Sequence, residues 1–376
     1  VVVSAMGRES DPYSTDTFIN MIRAVNPDPS LREMDLIMSC GEIITATLLA
    51  SQLSVQGIPS RCLTGEQAGI VTDSNYGNAH ILYVKPQNIL QCLEDGITPI
   101  VAGFQGRSER GDLTTLGRGG SDTTASALGA ALNAEVIDIF TDVEGVMTAD
   151  PRIVENARLL DSITYNEICQ LARDGAKVIH PRSVEIAMQA NIPLRVRSTL
   201  SDTPGTLVGH RLNGKNYEIR MISDRLITGI TYTSNIVQLK LKKTVALPND
   251  DLELRVFKSL ANDGISVDFI NVQSEWISFT VTADLAEKAL SLLHEIGVYP
   301  EIEYNCAKVA VVGAAMTGIP GVMAQVVEAL NHHGIPILQS GDSYTNIWCL
   351  VKKEHMELAV KALHDKFQLG AEIASR

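Results

Sequence analysis

Thr114-Thr115-Leu116-Gly117-Arg118-Gly119-Gly120-Ser121-Asp122-Thr123-Thr124 is the stretch of this sequence most suited to chemistry. Three glycines let the backbone approach a ligand closely, and the Ala-rich run 125–133 behind them reads as a helix. The N-terminus of such a helix points free N–H groups and a partial positive charge at an anion. Arg118 adds a fork that can hold a carboxylate through two hydrogen bonds. On its own, a glycine loop before a helix turns a corner as often as it binds, so its meaning depends on the elements that position it.

Those elements belong to a long, mixed chain. With 376 residues, 45% apolar and 20% charged, it exceeds one ordinary core and is too apolar for disorder, so two or three domains are expected. Lys and Arg number 31 against 44 Asp and Glu, and the net charge of −13 disfavours broad attraction to nucleic acid or anionic lipid and favours a small-molecule enzyme. Cys40, Cys62, Cys92, Cys169, Cys306 and Cys349 lie far apart with no C-x-x-C spacing. That argues against a zinc site or disulfide scaffold and for small buried hydrophobes in a reducing cytosol. No uninterrupted apolar run reaches the roughly 20 residues of a membrane helix, so a soluble, cytoplasmic protein is expected. The opening Val1-Val2-Val3-Ser4-Ala5-Met6-Gly7 lacks the basic and full-length apolar regions of a signal peptide. It reads as the middle of a buried parallel strand entering a loop, and the sequence is expected to begin inside a domain.

From residue 1 to about 210, short β-rich runs alternate with longer helical stretches, the order of a three-layer α/β domain around a mainly parallel sheet. Ser30-Leu31-Arg32-Glu33 is a capping box opening a helix expected to run to Gly57 and Pro59, and Thr164-Tyr165-Asn166-Glu167 is a second box. Strands are expected over 100–104, 136–141 and 194–197, each followed by Gly or polar residues at the carboxyl edge where open α/β sheets bind ligands. The polar stretch 209–224, with Asn213-Gly214 inside it, is the linker candidate. The expected domains are 1–212, a linker 213–225, then 226–303 and 304–376.

Beyond the linker the chain repeats. Sliding it by 70 residues pairs Leu239 with Val309, Leu260 with Leu330, Gly264 with Gly334, Ile277 with Ile347 and Leu293 with Leu363, an internal duplication. Each copy reads strand, helix, strand, strand, helix, with Gly264 and Gly334 as C-cap glycines. This order resembles the ACT domain, a ferredoxin-like βαββαβ unit that binds amino acids at its dimer interface. Only a short tail follows the second copy's last helix, so residues 227–232 are expected to supply its fourth strand.

In its wording, the glycine segment resembles the aspartokinase family, whose catalytic domain has the amino-acid-kinase fold. Val3-Ser4-Ala5-Met6-Gly7, Cys40-Gly41-Glu42, Gly103-Phe104-Gln105-Gly106, Thr141-Asp142-Val143-Glu144-Gly145-Val146, Thr148-Ala149-Asp150-Pro151-Arg152 and Gly175-Ala176-Lys177 agree, and the resemblance spans nearly the whole chain. Phe140-Thr141-Asp142-Val143-Glu144-Gly145-Val146-Met147 and Ile337-Leu338-Gln339-Ser340 most resemble the monofunctional, diaminopimelate-sensitive class.

The resemblance implies roles residue by residue. Arg118, Gly119, Gly120, Ser121, Glu42 and Phe104 match positions that hold aspartate: Arg118 clamps a carboxylate, Glu42 meets the α-ammonium region and Phe104 closes one side. For Phe104 a plain core role is equally expected. Thr141, Asp142, Met147, Thr148, Asp150, Pro151 and Arg152 match the nucleotide segment, where Asp150-Pro151 would otherwise read as an ordinary turn. Lys177 matches a lysine against the transferring phosphoryl group, and Asp122 a carboxylate that orients the lysines; a surface role is the bland alternative for Lys177. The implied reaction is attack by the β-carboxylate of L-aspartate on the γ-phosphorus of ATP, giving 4-phospho-L-aspartate and ADP. This is the first step toward lysine and diaminopimelate, threonine and methionine. Mg²⁺ is implied by the nucleotide and is expected on its phosphates, because no carboxylate cluster is spaced as a dedicated cage.

The paired ACT units imply a homodimer with two-fold symmetry, and feedback inhibition by diaminopimelate or lysine is expected. Asn249 and Asp250 before the first ACT helix, with Ile265, Val267 and Asp268 on the next strand, form the expected effector site. Family members open with a strand carrying Lys-x-Gly-Gly, a second catalytic lysine and a Thr or Ser that touches aspartate, and none of these stands here. The natural gene product is therefore expected to carry that segment, and this chain without it to be inactive. The rival from another class is a non-catalytic amino-acid sensor with a relic kinase domain, against which the presence of Arg118, Asp122, Asp150 and Lys177 weighs. A glutamate or N-acetylglutamate kinase of the same fold fits less well, since those relatives do not join this loop to two ACT repeats.

Overall fold

Five strand pairings in the N-terminal part of the chain are parallel and three antiparallel, among the described strands. The computed structural model describes all residues except 8–10, 211–225, 244–251, 314–315, 317–318 and 372–376. It forms two compact units. One comprises Val1–Val146, Leu159–Ala172 and Lys177–Ile222, the other Met147–Arg158, Arg173–Ala176 and Ser223–Arg376.

In the N-terminal unit, Val2–Val3, Thr98–Ala102 and Ser60–Leu63 make a parallel sheet with Thr98–Ala102 at its centre. Pro99, Ile100, Val101 and Ala102 are buried in succession, the mark of a strand covered on both faces. The expected strand 100–104 thus lies two residues earlier, because Phe104 turns out of the sheet at φ +68°. Two four-stranded sheets complete the unit. One orders Ile137–Thr141, Leu194–Ser198, Thr206–Gly209 and Ser162–Thr164, the other Ile81–Val84, Ile70–Thr72, Gln105–Ser108 and Leu113–Thr115.

Both capping boxes act as caps. Ser30 accepts the Glu33 N–H at 3.3 Å, while Glu167 accepts the Thr164 N–H at 2.9 Å and donates its own N–H to the Thr164 hydroxyl at 3.3 Å. The single helix expected from Ser30 to Gly57 is instead two, Leu31–Met38 and Cys40–Val55, with Ser39 between them donating its hydroxyl to the Leu36 carbonyl at 2.8 Å. That local bond competes with the helical ladder. Among the described residues the run Leu31–Val55 alone is long and apolar enough to cross a membrane. It is divided at Ser39, carries the buried acids Asp35 and Glu42, and packs Ala46 and Ala50 against Ile100 and Ala102 of the sheet.

The C-terminal unit is built on a six-stranded antiparallel sheet. Its halves repeat at the 70-residue offset: helix Leu252–Asn262 with Val322–His332, and strand Trp276–Thr282 with Asn346–Lys352. Even the left-handed turns recur, at Asn235 (φ 62°) and Asn305 (φ 54°). Each half fills its own core, Leu239, Leu260, Phe279 and Leu293 in one, Val309, Leu330, Val351 and Leu363 in the other. The long strand Ile227–Lys242 joins them. Its first part, from Ile227 to Thr233, runs antiparallel to the stretch from Gly313 back to Lys308, and its later part pairs with residues 301–306.

One buried charge cluster stitches this unit. Lys308, 8% exposed, places its ammonium 2.7 Å from Asp174 Oδ1, and the Asn346 amide donates to Asp174 Oδ2 at 2.7 Å. Removing one partner of a buried pair strands the other charge, so Asp174→Ala should cost about 3–5 kcal/mol. Trp276 and Trp348 are the chain's two tryptophans and both lie in this unit, so a tryptophan-fluorescence urea titration reads its unfolding selectively. The midpoint should fall well below wild type; an unmoved midpoint would show that the pair contributes nothing.

Candidate functional site

Strand Leu113–Thr115 runs into the glycine loop, and helix Gly120–Ala131 starts from it with Gly119 as its N-cap. Packing requires these glycines. A Cβ on Gly119, which sits at φ 65°, would lie 2.2 Å from the His180 Cβ, and one on Gly120 would lie 2.6 Å from the Phe104 ring and 3.0 Å from its Cα. Phe104 is itself pinned: its N–H donates to the Thr124 hydroxyl at 3.1 Å and its carbonyl accepts the Leu116 N–H at 2.9 Å.

A cavity of about 750 Å³ opens over this loop, all of it within the N-terminal unit. It brings together Glu42, Phe104, Arg118, Gly119, Gly120, Ser121 and Asp122 with Ser4, Asp16 and Met38. Glu42 is 3% exposed; its Oε1 accepts the Ala5 N–H at 3.1 Å, and its Oε2 has no hydrogen-bond partner among the described residues. Burial pushes its pKa up to about 7, against the smaller opposing effect of backbone N–H groups. Burial also raises the Asp122 carboxyl, opposed by a backbone hydrogen bond from His180. Arg118 is exposed and makes no ion pair or side-chain hydrogen bond among the described residues. Ser121 Oγ stands 3.0 Å from Ser4 Oγ. A buried carboxyl with an unsatisfied oxygen, lining the same cavity as an exposed guanidinium and a helix N-terminus, suits a ligand bearing an ammonium and carboxylates.

Two supports escaped sequence reasoning. Asp35, fully buried, accepts the Gly77 N–H at 2.9 Å and the Thr115 N–H and hydroxyl at 2.8 and 2.7 Å, tying the helix Leu31–Met38 to the strand that leads into the loop. Its signal was an acid among apolar residues seven positions before Glu42. Arg182 donates to the carbonyls of Leu116 at 2.8 Å and Ala79 at 2.8 Å. Nothing in local sequence distinguishes it from a surface arginine.

Lys177 is exposed and does not line the cavity. It lies three residues before His180, so its Cα is within about 11 Å of that of the residue abutting Gly119. The nucleotide-matching residues divide between the units. Thr141 ends strand Ile137–Thr141 and donates its hydroxyl to Asp142 at 3.3 Å, in the N-terminal unit. Met147, Thr148, Asp150, Pro151 and Arg152 belong to the C-terminal unit. Thr148 is 1% exposed, whereas Pro151 and Arg152 are on the surface. Of the expected effector residues, Ile265 and Val267 pack in the first core of the C-terminal unit, and Asp268 is exposed with its carboxylate 3.7 Å from Lys308. Asn249 and Asp250 lie outside the described residues. None of the six cysteines is in a disulfide, and four are buried.

The chain matches the model of the amino acid kinase family over residues 1–198 and that of an ACT domain over 301–365. It is 50% identical over 370 residues to aspartokinase 1 of Bacillus subtilis (strain 168), covering 98% of this chain and 91% of that one. Among solved structures it resembles E. coli aspartokinase III in complex with aspartate and ADP (R-state) at a TM-score of 0.76 and 29% identity, over 93% of this chain and 79% of the other. The same enzyme in complex with lysine and aspartate (T-state) gives a TM-score of 0.73 at 29% identity, over 94% and 79%.

Proposed function

Because the chain belongs to the aspartokinase family, we propose that it phosphorylates L-aspartate with ATP in the cavity beside the glycine loop of its N-terminal unit. Glu42 carries this reading: a buried carboxylate with one oxygen unpartnered among the described residues calls for a cation, and the α-ammonium of aspartate supplies one. Arg118 then holds a carboxylate of the substrate bidentately, Ser121 and the N–H groups at Gly119 and Gly120 bind its oxygens, and Phe104 closes the side. N-acetylglutamate has no free α-ammonium to meet Glu42, and the 50% identity to an aspartokinase favours aspartate over glutamate.

In the reaction, a β-carboxylate oxygen attacks the γ-phosphorus of ATP in line. The new O–P bond forms as the bond from γ-phosphorus to the bridging oxygen breaks, and that electron pair leaves on ADP. Lys177 neutralises charge building on the phosphoryl oxygens, Asp122 orients cationic groups, and Thr141, Asp142, Met147, Thr148, Asp150, Pro151 and Arg152 serve the nucleotide. Alignment of the two anions supplies much of the acceleration. Mg²⁺ would enter with the nucleotide. Bound to the nucleotide's phosphates, it would screen their charge.

The proposal extends to regulation. The wording of residues 140–147 and 337–340 supports the diaminopimelate-sensitive class, with diaminopimelate or lysine as effector, a homodimer through the ACT units and a cytosolic setting. Asp268, whose side chain is 71% exposed, is the described effector candidate able to meet an ammonium. Domain limits of 1–212, 226–303 and 304–376 with a linker at 213–225 accompany this reading.

ATP-dependent hydroxamate formation from aspartate by the full-length protein tests the reaction. Glu42→Gln and Arg118→Ala should each lower kcat/KM for aspartate about tenfold or more while leaving KM for ATP near wild type. Wild-type KM for aspartate in both variants would dismiss the site. Titration calorimetry with diaminopimelate and with lysine should show one of them binding, and heat from neither would end the effector assignment.

A further inference from the structure

Leu116, Gly117, Arg118 and Gly119 lie between strand Leu113–Thr115 and helix Gly120–Ala131 and belong to neither. Gly117 and Gly119 sit at φ 74° and 65°, so no regular ladder fixes their peptide groups. Such a segment keeps one conformation only where contacts from elsewhere impose it. Asp35 secures the strand that leads in, and the first turn of helix Pro181–Ala190, within the same unit, holds the loop itself.

Three side chains of that turn reach three places on the loop. Arg182 donates to the carbonyls of Leu116 and Ala79, both at 2.8 Å. The His180 Cβ occupies the space that a side chain on Gly119 would need. The Ser183 hydroxyl, fully buried, donates to the Asp122 carbonyl at 3.0 Å and stands 2.8 Å from the Ser126 hydroxyl. The turn is itself fixed, by Pro181 at the helix start and by His180 Nδ1, which accepts the Arg182 N–H at 3.3 Å. Arg182 differs from the other two in carrying charge. Burial lowers its pKa, with Asp73 opposing the shift, yet an arginine stays protonated. Among the described residues its guanidinium forms no ion pair and gives its N–H groups to backbone carbonyls. It does not line the cavity, so it acts on a ligand there only through the loop.

We infer that Arg182 and Ser183 are positioning residues for aspartate: by gripping the carbonyls of Leu116, Ala79 and Asp122 they hold Arg118 and the N-terminus of helix Gly120–Ala131 where these receive the substrate's carboxylates. The inference rests on the reading that this loop binds aspartate. It gives the arginine a role that its charge alone does not fill. A guanidinium is a planar fork that spans two carbonyls at once, whereas a lysine ammonium is a single point on a flexible stem. Loss of either grip leaves the residues that touch aspartate in place chemically but lets their spacing vary, which weakens binding of the molecule that must meet several of them together.

The test measures KM for aspartate and, separately, for ATP by hydroxamate formation with the full-length protein. Arg182→Met should raise KM for aspartate about fivefold or more and leave KM for ATP within about twofold, and Arg182→Lys, which reaches one carbonyl but not both, should fall between Arg182→Met and wild type. Ser183→Ala removes a single oxygen and should raise KM for aspartate about threefold, again without moving KM for ATP. It and Arg182→Lys keep the test open if Arg182→Met fails to fold, and a wild-type KM for aspartate in both overturns the inference. Arg118→Ala separates the two claims. Should it raise KM for aspartate while the Arg182 and Ser183 variants do not, the positioning roles are overturned and the site reading stands. Unchanged KM for aspartate in every variant overturns both. An equal rise in KM for aspartate and for ATP marks a general structural role and likewise overturns the inference.

Discussion

A nearly buried carboxylate with one oxygen unpartnered among the described residues is the constraint on which the site of the N-terminal unit depends. Burying an ionised Glu42 without a cation is costly, and the chain meets that cost by holding the proton up to a pKa of about 7. Every element near it can be understood as keeping that oxygen available. Helix Cys40–Val55 is held on the parallel sheet by Ala46 and Ala50, Gly41 leaves no room for a Cβ, which would come within 2.8 Å of the Ala5 Cβ, and the Ala5 N–H occupies only Oε1. In the proposed complex a ligand ammonium would satisfy the remaining oxygen, and the glycine loop and Arg118 would meet the ligand's negative groups.

The C-terminal unit obeys a different constraint. A βαββα copy lacks a strand, and the chain supplies it by running Ile227–Lys242 across both halves, with bulges near the left-handed Asn235 that let one strand serve two registers. Neither half then has an independent sheet. The same economy places residues 147–158 and Asp174 in this unit's interior, so segments early in sequence are set by residues two hundred positions later.

Much of this was legible in the residues. The duplication could be read because its copies align without gaps, and helices Leu252–Asn262 and Val322–His332 start at the same 70-residue offset that Gly264 and Gly334 mark. The glycine loop was legible because close approach of His180 and Phe104 excludes any side chain at Gly119 and Gly120. Other features left no local trace. Asp35 reaches Thr115 across 80 residues, and Arg182 reaches Ala79 across 103, contacts that periodicity does not encode. The break at Ser39 hides inside an unbroken apolar pattern, since only a side-chain hydrogen bond ends the first helix. The burial of Thr148 and Ile265 by partners distant in sequence likewise left no trace in their own segments.

The account stands on the ionisation of Glu42, and proton counting on ligand binding tests it most directly. Aspartate titrated calorimetrically into the full-length protein at pH 6.5, in two buffers of different ionisation enthalpy, should release a fraction of a proton per site, because the ammonium holds Glu42 ionised where burial raises the pKa of the free site to about 7. The release should shrink toward zero as pH rises well above 7 and vanish in Glu42→Gln. Binding that releases no proton at pH 6.5, or releases as many from Glu42→Gln, would contradict the account.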